Sequence, residues 1–70
     1  MSPDQYNELV RTIQRMRDTS DALSRTCQML AASETDAARR GYFHRLHVSL
    51  HDCKLALHHA IDAAPTMVQP

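Results

Sequence analysis

The sequence predicts an all-α protein, an antiparallel two-helix hairpin that dimerises into a four-helix bundle. Two long stretches of the 70-residue chain repeat apolar residues at alternating steps of three and four, the spacing of a coiled coil. A cluster of helix-capping residues, Ser33 to Asp36, separates the two stretches and predicts a tight turn between them. A domain of this size buries only about 60% of the surface of its unfolded chain, so a second hairpin is expected to complete the core.

The first predicted helix runs from about residue 3 to residue 32. Ser2 suits the N-cap, Pro3 suits the first helical position, and Gln5 completes a capping box. The apolar series of this helix lies on one side and is predicted to face the second helix. Its members are Tyr6, Leu9, Ile13, Met16, Ser20, Leu23, Cys27 and Leu30.

The second predicted helix follows a turn at residues 33–36, runs from about residue 37 to residue 64 and precedes a tail at residues 65–70, within one domain. Gly41 costs about 1 kcal/mol relative to alanine inside a helix. Either this helix begins near Tyr42, or another backbone approaches Gly41 closely. Facing residues of the two helices are expected to have numbers that sum to about seventy. The series predicted to face the first helix is Phe43, Leu46, Leu50, Cys53, Leu57, Ala60 and Ala64.

The second helix carries a further stripe, which is predicted to point away from the first helix and to form the homodimer interface. Two aliphatic residues alternate in it with imidazoles, although the outer face of a simple hairpin should be polar. One hairpin cannot bury both series of this helix, which favours a two-fold dimer. The alternative is a monomer with scattered surface apolar residues. The stripe consists of His44, Val48, His51, Leu55 and His58.

The histidines also suggest an alternative function, a His-rich protein that binds Zn or another transition metal. His44, His47 and His51 are spaced at about one helical turn, so two or three imidazoles could surround one ion, with His58 as a further ligand. Duplication of the stripe across a dimer axis would double the ligands. No HExxH motif or cysteine pair accompanies them, so the main expectation is that no cofactor is bound.

Composition limits the other function classes. Eight Lys and Arg balance eight Asp and Glu, so the basic excess typical of nucleic-acid binders is missing, although Arg39, Arg40 and Arg45 leave that interpretation open. Two cysteines do not make a secreted disulfide framework, and no apolar run is long enough to span a membrane, which predicts a cytoplasmic protein. The chain has one glycine and no catalytic motif, so we expect no enzyme.

The predicted partner-binding site lies beside the turn, at Arg39, Arg40, Tyr42 and Arg45. Arginine and tyrosine are enriched among the residues that dominate protein interfaces. The arginines would alternatively complement the carbonyl end of the first helix. The expected function is therefore binding to another protein, a regulator or an enzyme.

Three local features resemble the small helical anti-activator proteins of Pseudomonas phages: an ASxTD-like turn at residues 32–36, Tyr42 near the start of the second helix, and Leu55-Ala56-Leu57 followed by Ile61. The similarity covers under half of the chain and needs a gap between Asp36 and Tyr42. It implies an inhibitor of phage or mobile-element type that blocks a host regulator, with Tyr42 in the contact.

Overall fold

The computed structural model describes residues 2–64 of the chain. They form two antiparallel helices, α1 (Pro3–Ser33) and α2 (Ala37–Asp62), joined by a short turn. The predicted all-α helical hairpin is confirmed. Both helices end within two residues of the predicted bounds, and the predicted tail at residues 65–70 lies outside the described residues.

The ends of both helices carry side-chain caps. The predicted capping box of α1 is confirmed, because the Gln5 N–H donates to the Ser2 hydroxyl at 3.2 Å and the Ser2 N–H donates to Gln5 Oε1 at 3.0 Å. Asp36 is the N-cap of α2, where its carboxylate accepts the Arg39 N–H at 2.9 Å. These bonds satisfy amide groups that have no partner inside a helix, and so they define where each helix begins.

Gly41 lies inside α2, four residues after its start, and has no positive φ. A Cβ atom at this position would meet only the Arg45 guanidinium, at an ordinary 3.5 Å. Neither of the two explanations proposed for this glycine therefore holds, since the helix begins before it and no other backbone approaches it.

Replacing Gly41 with alanine is therefore expected to raise the free energy of unfolding by about 0.5–1 kcal/mol, the difference in helix propensity. Urea unfolding followed by circular dichroism measures the change. The converse replacement of the exposed Ala38 with glycine serves as a control and should lower the free energy by a similar amount. A loss of stability in Gly41→Ala would show that the missing side chain matters for packing.

The contact between the helices differs from the prediction on the α1 side. Ser20, Ser24 and Cys27 are buried there, at 9% exposure or less. Ser24 instead of Leu23 faces α2, so the predicted series is wrong at every second position. The wrongly placed residues are between 43% and 51% exposed: Leu9, Met16, Leu23 and Leu30.

Small side chains and hydrogen bonds explain why α1 turns Ser24 and not Leu23 toward α2. The Ser24 hydroxyl donates to the His47 carbonyl oxygen at 3.1 Å, and Nδ1 of His47 lies 3.0 Å from the Ser24 carbonyl oxygen. The carbonyl can only accept, so this nitrogen carries the proton and donates. The Ser20 hydroxyl donates to the Cys53 sulfur at 3.7 Å. Leucines on this side would hold the helices too far apart for these bonds.

The α2 side of the contact agrees better with the prediction. Cys53 contacts α1 through its bond with Ser20, although much of its surface is exposed. Ala60 is exposed, and the next residue, Ile61, is partly buried in its place. The other predicted members of this series are partly buried, namely Phe43, Leu46, Leu50, Leu57 and Ala64. The numbers of the bonded pairs Ser24–His47 and Ser20–Cys53 sum to 71 and 73, close to the predicted register of about seventy.

The hairpin encloses little apolar core. No large side chain among residues 2–64 is fully buried, and Cys27 is the one buried hydrophobic residue of that range. The radius of gyration is 16.4 Å, whereas a compact chain of this length would have about 11 Å. Among the described residues, neither helix combines the length and the apolar character needed to cross a bilayer. The apolar side chains are instead spread over exposed faces.

Candidate functional site

The hairpin has two open faces, one on each side of the line where its helices touch. Asp21 bonds Lys54 across the helices at 3.0 Å and lies within electrostatic range of His51, so these residues share one side. Leu23 is two residues from Asp21 and Cys53 is two residues from His51, which places each about 200° further around its helix. Leu23 and Cys53 therefore lie on the opposite side.

We call the first side the histidine face. The predicted dimer residues lie together on it, with the three imidazoles near the helix contact and Val48 and Leu55 farther out, at 44% and 40% exposure. His58 lies 3.3 Å from the Asp62 carboxylate. Binding of a second copy here stays a prediction. The face is defined by His44, Val48, His51, Leu55 and His58.

We call the opposite side the charge-free face. It consists of Leu9, Thr12, Met16, Thr19, Leu23, Thr26, Leu30 and Ser33 of α1 and of Tyr42, Leu46, Ser49, Cys53, Ala56, Ala60 and Ala63 of α2. The exposed leucines and methionine of α1 form its largest apolar surface.

An ionic cluster joins the helices on the histidine face. The Asp21 carboxylate accepts from Lys54 through one oxygen and from Arg25 through the other, each at 3.0 Å. The hydrogen bond from Lys54 lowers the pKa of Asp21 below its ordinary value, and the charges of Arg25 and His51 act in the same direction, while partial desolvation opposes them. The cluster was not foreseen, because Lys54 is not among the residues that the apolar spacing predicts to face α1.

His47 points into the helix contact through its bonds with Ser24. Its ring centroid lies 6.3 Å from that of His44 and 6.4 Å from that of His51. Within residues 2–64, no three side chains of ligand type converge as a metal site. Nδ1 of His47 is engaged with Ser24, which leaves only Nε2 as a possible ligand atom. Metal binding by His44, His47 and His51 stays a prediction.

The four predicted partner-binding residues surround the turn but do not all point the same way. Arg39 forms an ion pair with Glu34 at 3.4 Å, and Arg40 donates to the Glu34 carbonyl oxygen at 3.5 Å. These contacts agree with the alternative in which arginines complement the end of α1. Tyr42 is 54% exposed, and Arg45 forms no ion pair within the described residues.

Glu34 organises this turn. Its side chain accepts the Asp36 N–H at 2.9 Å, and this bond lowers the pKa of Glu34 below its ordinary value, with Arg39 adding to the effect against partial desolvation. The carboxylate therefore stays charged and fixes the direction in which α2 leaves the turn.

A shallow pocket of about 450 Å³ opens between the helices next to the turn. Small side chains and a glycine form its floor, and an arginine and a histidine border it. The lining residues are Ala31, Ala32, Ala37, Arg40, Gly41 and His44. The pocket was not predicted from the sequence, although three alanines and the single glycine near the turn line it. The pocket fits an apolar side chain that stands beside a carboxylate.

Comparison with protein-family models, curated proteins and solved structures gives no match for this chain. The candidate functional surfaces of this chain are therefore defined by its own geometry: the turn with its pocket, the histidine face and the charge-free face.

Proposed function

We propose that this protein is a small non-enzymatic binding module that inhibits or regulates a host protein, in the manner of phage or mobile-element inhibitors. Its partner binds at the turn, where Arg40 lines the pocket between the helices and the Arg45 guanidinium lies next to Gly41 of that pocket. Tyr42 is exposed on the opposite side of α2. The observation that carries this proposal is the pocket itself, because an apolar floor with a cationic border is a site for an anchor residue.

The chemistry of the border indicates what the partner presents. Arg40 uses one donor for the Glu34 carbonyl oxygen and has four others, and Arg45 is free to pair with an acidic group. Tyr42 adds an exposed aromatic ring in the second turn of α2. A partner segment with an apolar side chain next to Asp or Glu satisfies both the floor and the border of the pocket.

Affinity capture from the native host tests the proposal. The Arg40→Ala, Tyr42→Ala double variant is expected to retain at least tenfold less of the specific partner than the wild type, since interface anchors of these residue types contribute about 2 kcal/mol each. The control is Arg15→Ala, Leu55→Ala, which removes an exposed arginine of α1 and an exposed leucine of α2, both far from the turn.

Circular dichroism of each variant verifies that the helices persist. The proposal requires that the control behaves as the wild type and that 0.5 M salt weakens capture, because the contact is partly ionic. If the same proteins bind equally to all three forms, the turn is not the binding site.

A further inference from the structure

The charge-free face differs from the rest of the surface in a way that indicates a buried contact. Charged residues make up 23% of the chain, yet the centre of this face, along its exposed leucines, carries none of them. Charged groups reach only its outer edges, where Arg15 donates to the Thr12 hydroxyl at 3.0 Å and Arg45 lies on the same line of α2 as Ala63. Away from the turn, the ionic contact between the helices lies on the other side, around Asp21. Covering the centre of the charge-free face therefore desolvates no charge, whereas covering the histidine face would desolvate the Asp21 cluster.

Three hydroxyl groups on this face are satisfied within α1. Thr12, Thr26 and Ser33 each donate to the carbonyl oxygen four residues earlier, at 2.8, 3.0 and 3.2 Å. These donors keep their partners when water is removed, and the Thr12 oxygen also accepts from Arg15 at the edge of the face. Burial of this face would therefore not leave these hydroxyls unpaired.

The two helices contribute side chains of opposite size. α1 presents Leu9, Met16, Leu23 and Leu30, whereas α2 presents mostly small side chains, namely Ser49, Cys53, Ala56, Ala60 and Ala63. A two-fold axis parallel to the helices sets α1 of each copy on α2 of the other, so that large side chains rest on small ones in both halves. The face is complementary to itself under this rotation.

The available area matches what a stable dimer needs. α2 has 26 residues and is about 39 Å long, and two helices side by side are about 20 Å wide, which gives a face of about 800 Å². A standard interface buries roughly 800 Å² on each partner. The hairpin alone has no fully buried large side chain in residues 2–64, so a second layer supplies the core that one chain lacks.

We propose that the charge-free face binds a second copy of this chain, giving a two-fold symmetric four-helix bundle. This assigns the dimer contact to the side opposite the histidine stripe that the sequence suggested, and it leaves the histidine face and the turn open. The inference does not rest on the proposed function, because self-association is measured without any partner.

Analytical ultracentrifugation of matched leucine variants tests the assignment. The wild type is expected to sediment at about twice 7.9 kDa. Leu23→Asp places a charge on the charge-free face and should raise the dimer dissociation constant by about 100-fold or more. Leu55→Asp is the control, since Leu55 is a similarly exposed leucine on the histidine face, and it should leave the dimer intact.

A second variant tests the same face in case Leu23→Asp fails to fold. Thr26 is exposed and bonds only within α1, and lysine is a better helix former than threonine, so Thr26→Lys should keep the helix content and weaken the dimer about tenfold. The wild-type dimer should also persist from pH 7.5 to pH 5.5, because its contact contains no histidine.

Three results would overturn the proposal. The first is a wild type that stays monomeric up to about 200 μM, a concentration far above the dissociation constant of a specific dimer. The second is dissociation caused by Leu55→Asp but not by Leu23→Asp or Thr26→Lys. The third is dissociation of the folded wild type at pH 5.5, which would return the contact to the histidine face.

Discussion

Replacing Ser24 with leucine is expected to lower the free energy of unfolding by about 2–4 kcal/mol, from overpacking of a tight contact and loss of a cross-helix hydrogen bond. Ser24 is 3% exposed, and its hydroxyl bonds the backbone of His47. The longer side chain has no space between the helices, so α1 and α2 must separate or α1 must rotate. Chemical unfolding followed by circular dichroism measures the loss.

Two further variants separate the causes. Ser24→Ala removes the hydroxyl without adding bulk and should cost only about 1 kcal/mol. Ala22→Leu adds the same leucine at an exposed position of α1 and should change stability by less than about 0.5 kcal/mol. Unchanged or increased stability in Ser24→Leu would contradict the observed contact and would favour the orientation in which Leu23 faces α2.

His47→Ala is expected to lower the free energy of unfolding by about 2–3 kcal/mol, since it opens a cavity between the helices and removes the donor to the Ser24 carbonyl oxygen. The ring of His47 occupies the contact opposite the small side chain of Ser24. Its deletion therefore removes one of the larger groups that hold the two helices together.

The matched control is His51→Ala, one helical turn further along α2. His51 is exposed and should contribute less than about 0.5 kcal/mol. Differential scanning calorimetry of both variants measures the loss of stability. A chelator in the buffer excludes any contribution from bound metal. Equal effects of the two substitutions would show that His47 has no special structural role.

Local signals in the sequence were sufficient to predict the two helices and the turn. The capping residues are Ser2 with Gln5 for α1 and Asp36 for α2. Their side chains reach amides only a few positions away, so their effect depends on neighbouring residues alone. The antiparallel register followed from the position of the turn.

The side of α1 that faces α2 could not be predicted from apolar spacing. Two series of α1 residues at helical spacing share Ile13, Ser20 and Cys27. One series is completed by residues such as Leu23 and the other by residues such as Ser24. The leucine series is the more hydrophobic, so apolar spacing favours it. The structure follows the other series because Ser24 and His47 bond each other across the helices, a long-range relation that periodicity does not contain.

The candidate site was predicted in part for the same reason. Arginines and Tyr42 near the turn are visible in the sequence, but the pocket depends on how α1 and α2 place Ala31 and Gly41 on its two sides. The engagement of Arg39 and Arg40 with Glu34 likewise depends on the geometry of the turn.

The thin contact between α1 and α2 also affects how long the chain survives in a cell. Proteases cut a chain in proportion to the time it spends open, and a hairpin without a fully buried large side chain in its described residues opens often. Association with another chain suppresses opening by mass action. The lifetime of this protein should therefore increase with its own abundance and with occupancy by its partner. Chains that are not bound to another chain are removed first.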